Sequence, residues 1–116
     1  MKKFLVMSDI HANYPALQAI ETFVRRDWFH RVINAGDLVV YGTFPNETIE
    51  WFRKKKNTLS IVGNTDNRVL RIMAGEPLDR PRREEKRVMY FWTCENLLPG
   101  NARYLQSLPG QRDFTI

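Results

Sequence analysis

Three short apolar runs, each cut off by polar residues, constrain what this chain can fold into more than any other feature. Phe4-Leu5-Val6-Met7 stops at Ser8-Asp9, Val32-Ile33 runs into Asn34-Ala35-Gly36-Asp37, and residues 58–62 stop at Gly63-Asn64. The first run does not alternate, which suits a strand buried on both faces. Between the runs the periodicity is helical. Asn13 offers an N-cap and Pro15 suits a first helical turn. Leu17, Ile20, Phe23 and Val24 then recur on one face, with Gln18, Glu21, Arg25 and Arg26 opposite. Pro45 opens a second helix with Ile49 and Phe52 on its apolar side. Lys54, Lys55 and Lys56 fall near its end, where cations suit the dipole.

The order β-α-β-α-β implies right-handed crossovers and predicts an α/β fold, a parallel sheet with flanking helices. Beyond Asn64, Val69, Leu70, Ile72 and Met73 predict a short helix ended by Gly75. Residues 75–83, with Pro77 and Pro81, read as a loop, and residues 86–97 as an aromatic-rich helix. Pro99 and residues 105–108 suggest a last short helix before Pro109-Gly110, and residues 113–116 look like the opening of another strand.

The chemistry sits where the strands end. Asp9 and His11 follow the first strand, Asp37 the second, and Asn64 and Asp66 the third. In an open parallel sheet ligands bind beyond the carboxyl ends of the strands. Neighbouring strands lie about 4.8 Å apart, so these side chains can converge on one small volume. Carboxylates gathered there repel one another unless cations lie between them. Asp oxygens, an imidazole and an amide oxygen suit Mn²⁺, Fe²⁺ or Zn²⁺ rather than a thiolate-loving metal.

Composition narrows the field further. With 116 residues, 43% hydrophobic, the chain suits one domain over residues 1–116. The net charge of +5 favours phosphorylated or acidic ligands. Its densest basic run holds Arg80, Arg82, Arg83, Lys86 and Arg87, diluted by Glu84 and Glu85, and reads as a solvated loop entering a helix. A nucleic-acid module is disfavoured, since no recognition motif or stacking pattern accompanies that charge. No G-x-G-x-x-G follows the first strand, which argues against a dinucleotide fold. The single cysteine, Cys94, lies among Tyr90, Phe91, Trp92, Leu97 and Leu98 and reads as a packed thiol. His30 precedes the second strand and reads as structural. With no secretory apolar region and no run near the ~20 residues of a membrane span, a cytoplasmic protein is expected.

Ser8-Asp9-Ile10-His11-Ala12-Asn13, Gly36-Asp37-Leu38-Val39-Val40-Tyr41-Gly42 and Gly63-Asn64-Thr65-Asp66 together resemble the first three motifs of the calcineurin-like metallophosphoesterases. The small prokaryotic phosphodiesterase branch is the nearest match. The resemblance implies half of a four-layer α/β/β/α sandwich and a site for two divalent ions, Mn²⁺ first, with Fe²⁺, Zn²⁺, Ni²⁺ or Mg²⁺ as alternatives. Asp9 and His11 would hold one ion, Asp37 would bridge both, and Asn64 would bind the second. Asn13 and Asp66 would orient those ligands. The implied reaction is hydrolysis of a phosphate ester, a small molecule or nucleotide, by a hydroxide between ions about 3.5–4 Å apart.

Two departures stand out. Thr65 occupies the position where many family members carry a leaving-group histidine. The chain also lacks the further metal-binding histidines, including a G-H-x-H motif, that the family draws from its C-terminal half. The expectation is therefore a domain truncated before its last ligand motifs and inactive alone. The alternative is a non-catalytic fragment or remnant that binds metal or a partner. An uncovered apolar sheet face would favour self-association.

Overall fold

The computed structural model describes residues 1–25 and 27–115. Strand β1 (Phe4–Met7), helix α1 (Tyr14–Val24), β2 (Arg31–Asn34), α2 (Pro45–Arg53) and β3 (Thr58–Ser60) give the predicted alternation. Helices α3 (Asn64–Met73), α4 (Glu84–Asn96) and α5 (Pro99–Ser107) complete the fold. The three strands are parallel in the order β1-β2-β3, with Leu5 beside Val32 and Val32 beside Thr58.

Local chemistry accounts for the boundaries. The Asn13 side chain accepts a hydrogen bond from the Ala16 N–H at 3.2 Å, and Pro15 fills the first turn of α1. That helix ends at Val24 with Arg25 as its cap, and Arg26 lies outside the described residues. Pro45 opens α2, but only Arg53 falls in its last turn, since Lys54 is already the cap and Lys55 and Lys56 lie beyond.

Strand side chains alternate between two unlike environments. Met7, Val32, Asn34 and Ser60 face the helices and are buried. There α1 packs on α2, α2 on α5, α5 on α3, and α3 on α4. Leu17, Ile49, Phe52, Val69, Tyr90 and Leu105 form the centre of the core. The opposite face carries Val6, 62% exposed, with Ile33 and Leu59 half-buried. Residues around Gly110 to Phe114 run over part of that face, the Phe114 ring 6.1 Å from that of Phe4. It is thus less bare than the sequence suggests.

Helix α4 starts two residues earlier than expected and ends one earlier, and three other boundaries differ more tellingly. Helix α3 begins at Asn64, ahead of the apolar periodicity near Val69, because Asp66 caps it from within. Strand β3 stops at Ser60 rather than Val62: the Val62 N–H turns away to the Pro109 carbonyl at 2.9 Å. Residues 113–115 form no strand, and Ile116 lies outside the described residues.

Candidate metal centre

The loop after β1 and the loop after β2 are laced together by backbone hydrogen bonds. The Asp9 N–H donates to Gly36 O at 3.0 Å, His11 N–H to Asp37 O at 3.0 Å, and Ala12 N–H to Leu38 O at 2.7 Å. In return Gly42 N–H donates to His11 O at 2.9 Å. This lacing holds Asp9, His11, Ala12, Asp37 and Val40 at φ between 52° and 58°, a region few non-glycine residues occupy. Such strain, about 1–3 kcal/mol per residue, persists only where the surroundings over-determine it. Gly36, at φ 102°, supplies the turn into Asp37.

The folded loops bring three donors together. Ligand atoms of Asp9, His11 and Asp37 all lie within 4.8 Å of one another. The His11 Nδ1 lies 2.7 Å from the Val40 carbonyl, which accepts its proton. The other ring nitrogen, Nε2, faces the Asp9 carboxylate 3.5 Å away. Two carboxylates and an imidazole gathered this closely fit a divalent ion. Ser8 Oγ donates to Asp9 Oδ2 at 2.5 Å. That bond is the main reason the Asp9 carboxyl lies below its ordinary value.

Asp37 is held from the third strand's side. Its Oδ1 accepts from both the Thr65 N–H and the Thr65 hydroxyl, each at 3.1 Å. A methyl group on Gly63 would run into the Asp37 amide nitrogen and carboxylate, so only glycine permits this approach. Asn64 stands between these two residues, exposed in the first turn of α3, where the dipole and free N–H groups favour anions.

Asp66 is fully buried, and its hydrogen bonds go to backbone N–H groups rather than to the three clustered donors. Its Oδ1 accepts from the Leu38 and Val39 N–H groups at 2.9 and 3.0 Å, and its Oδ2 from the Gly63 N–H at 2.9 Å. Burial holds its carboxyl above the ordinary range, partly offset by those donors. Asn13 caps α1 at the edge of the site. Sequence reasoning missed the clamp from Thr65 and the Tyr41 ring, which lies 5.4 Å from His11. The outlying candidates stand apart from the site. His30 packs edge-on against Phe4 at 5.7 Å, at the other end of the sheet. Burial pushes the Cys94 thiol up to about 11, as a packed cysteine requires.

A family model for calcineurin-like phosphoesterases matches residues 2–114, and the chain belongs to that family. It is 36% identical over 104 residues to an uncharacterized protein of Methanocaldococcus jannaschii, a match spanning 90% of this chain and 41% of that protein. It superposes on the crystal structure of a metallophosphoesterase from Sphaerobacter thermophilus with a TM-score of 0.72 and 30% identity, covering 93% of this chain and 42% of the other. A protein provisionally described as a diadenosine tetraphosphatase shares the fold, with a TM-score of 0.66 at 16% identity, over 94% of this chain and 48% of that one. The chain thus spans less than half the length of these relatives. No helix among the described residues is long and apolar enough to cross a membrane.

Proposed function

We propose that this chain supplies the first ligands of a two-ion phosphoesterase centre acting on phosphate esters, most naturally phosphodiesters or nucleotides. The observation that carries the reading is the Asp9, His11 and Asp37 cluster, with the His11 Nε2 turned toward Asp9. Asp9 and His11 would hold one ion, Asp37 would reach both, and Asn64 would serve the second. The bound ions supply charge neutralisation of the phosphoryl oxygens and an activated water. The protein's own part is to fix donor spacing. Thr65 and Gly63 hold Asp37, and the Val40 carbonyl fixes the His11 tautomer. Manganese is the first candidate by the family resemblance, and a cytoplasmic setting fits a chain with one unpaired cysteine.

Four protein donors for two ions leave the second site weak, so little turnover is expected from these residues alone. A non-catalytic role as a metal-binding or partner-binding piece is the second reading. It is favoured by the exposed Val6 on the outer face of the sheet.

Electron paramagnetic resonance of added Mn²⁺ tests the centre directly. At least one ion per chain should bind, with Asp37→Asn weakening affinity by about tenfold or more. Equal Mn²⁺ affinity in the variant would remove the proposal. Hydrolysis of bis-p-nitrophenyl phosphate, measured alongside, separates the two readings: turnover lost in Asp37→Asn supports the enzyme, and bound metal without turnover supports the fragment.

A further inference from the structure

The arginines that follow Asp66 in the chain are not equivalent. Arg87 is spent on structure, its Nη1 donating to the Leu78 carbonyl at 2.6 Å and the Pro81 carbonyl at 3.1 Å. Arg83 pairs with Glu85 at 2.8 Å. Arg68 is different. It stands half-buried one helical turn beyond Asn64, so Asn64, Arg68 and Arg71 follow one another along a single face of α3.

A second link ties Arg68 to the metal centre. Its Nη1 donates to the Tyr90 hydroxyl at 3.2 Å. The Tyr90 ring meets Tyr41 edge-on at 5.9 Å, and Tyr41 lies against His11. The Tyr90 hydroxyl holds the guanidinium above its ordinary value, and the charge of Asp37 reaches it as well. Beyond Arg68 opens a cleft of about 240 Å³ whose charged lining is Arg68, Arg71 and Arg80 against one acid, Asp79. Among the described residues, none of the three arginines has a carboxylate within ion-pair distance. Guanidinium groups without a carboxylate partner, one of them linked to His11 through Tyr90 and Tyr41, suit an anion with several oxygens.

We propose that this cleft is a second phosphate subsite, taking the phosphate next to the one held at Asp9, His11 and Asp37. The preferred substrates would then carry two neighbouring phosphates, as nucleoside diphosphates and longer phosphoanhydrides do. The placement of the first phosphate rests on the function proposed above. Arg68 positions the chain of phosphates, and Arg71 and Arg80 compensate its outer charge.

Calorimetric titration of the full chain tests this, with excess Mn²⁺ at fixed ionic strength. The ligands are AMP and the non-hydrolysable α,β-methylene analogue of ADP. The wild-type chain should prefer the two-phosphate ligand by about tenfold or more, the scale of one charge-assisted contact. Arg68→Gln should erase that preference while Mn²⁺ binding is unchanged. Lys56→Gln, an equal loss of charge at the opposite end of the sheet, should leave it intact. Equal affinities in the wild-type chain, or a preference that survives Arg68→Gln, would overturn the subsite.

If Arg68→Gln does not fold, the pair Arg71→Gln and Arg80→Gln, both exposed, reads the same contact and should lower the preference several-fold. A preference untouched in that pair would overturn the proposal. A chain that binds no Mn²⁺ would refute the metal centre alone. Pyrophosphate against inorganic phosphate, titrated without metal, then decides the cleft. A pyrophosphate preference lost in Arg68→Gln keeps the subsite, and no preference discards it.

Discussion

The two ends of the same three strands have been put to opposite uses. At the carboxyl ends every loop is drawn inward, donors converge, and five non-glycine residues sit in the left-handed region. At the amino ends, among the described residues, no backbone is held that way, and several polar side chains are matched locally, although the buried Thr58 hydroxyl has no partner. Trp51 Nε1 donates to Glu21 Oε2 at 2.7 Å, the Lys55 ammonium lies 4.3 Å from the Trp51 ring centre, and Asn57 Nδ2 donates to Phe29 O at 2.9 Å. A cleft of about 300 Å³ opens there too, but tryptophans and an already paired Glu21 and Lys55 line it. The cleft beside Asp9 and His11 is larger, about 470 Å³. What separates the two ends is the convergence of three possible ion ligands at the carboxyl ends.

If that contrast is real, equivalent substitutions at the two ends must differ in cost. The largest effect is expected from Gly63→Ala, whose added methyl meets the Asp37 backbone and carboxylate together. A loss of about 3 kcal/mol in urea unfolding is expected. Asp66→Asn comes next, at about 2 kcal/mol, because an amide offers N–H where the Gly63 N–H needs an acceptor. The smallest is Trp51→Phe at the other end, about 1 kcal/mol for one hydrogen bond to a charged group that is itself exposed. Should Trp51→Phe cost as much as Gly63→Ala, the two ends would be equally constrained and the contrast would fail.

Acid sharpens the comparison. Because Asp66 binds its proton more tightly when folded, its contribution grows as the pH falls from neutrality toward the carboxylate range and fades as the pH rises through its folded value. With metal removed by EDTA, the gap between the wild-type chain and Asp66→Asn should widen between neutral and mildly acidic pH. A gap that narrows would mean the three N–H donors outweigh burial.

Much of this was legible in the letters, and the failures have physical causes. The β-α-β-α-β order followed from apolar runs and periodicity, and Asp9, His11 and Asp37 from their places at strand ends. The start of α3 was hidden, since Gly63-Asn64-Thr65 reads as a turn until Asp66 is seen to bond back to Gly63. The partners of Asp66 could not be read either, because two of its three bonds reach residues 27 and 28 positions away. The strand foreseen at residues 113–116 needed a neighbour to pair with, and periodicity says nothing about neighbours. Thr65 looked like a missing histidine, yet its hydroxyl and amide are what hold Asp37.

The buried carboxylate of Asp66 has one more consequence. By gripping the peptide after Asp37 and the entrance to α3 at once, it makes residues 37 and 64 travel as a single piece. Their separation is then set during folding and not by an arriving ion. Binding would demand little reordering of these two residues' backbones, and any selectivity among ions of different radius would be written partly by a residue whose oxygens are spent on backbone N–H groups.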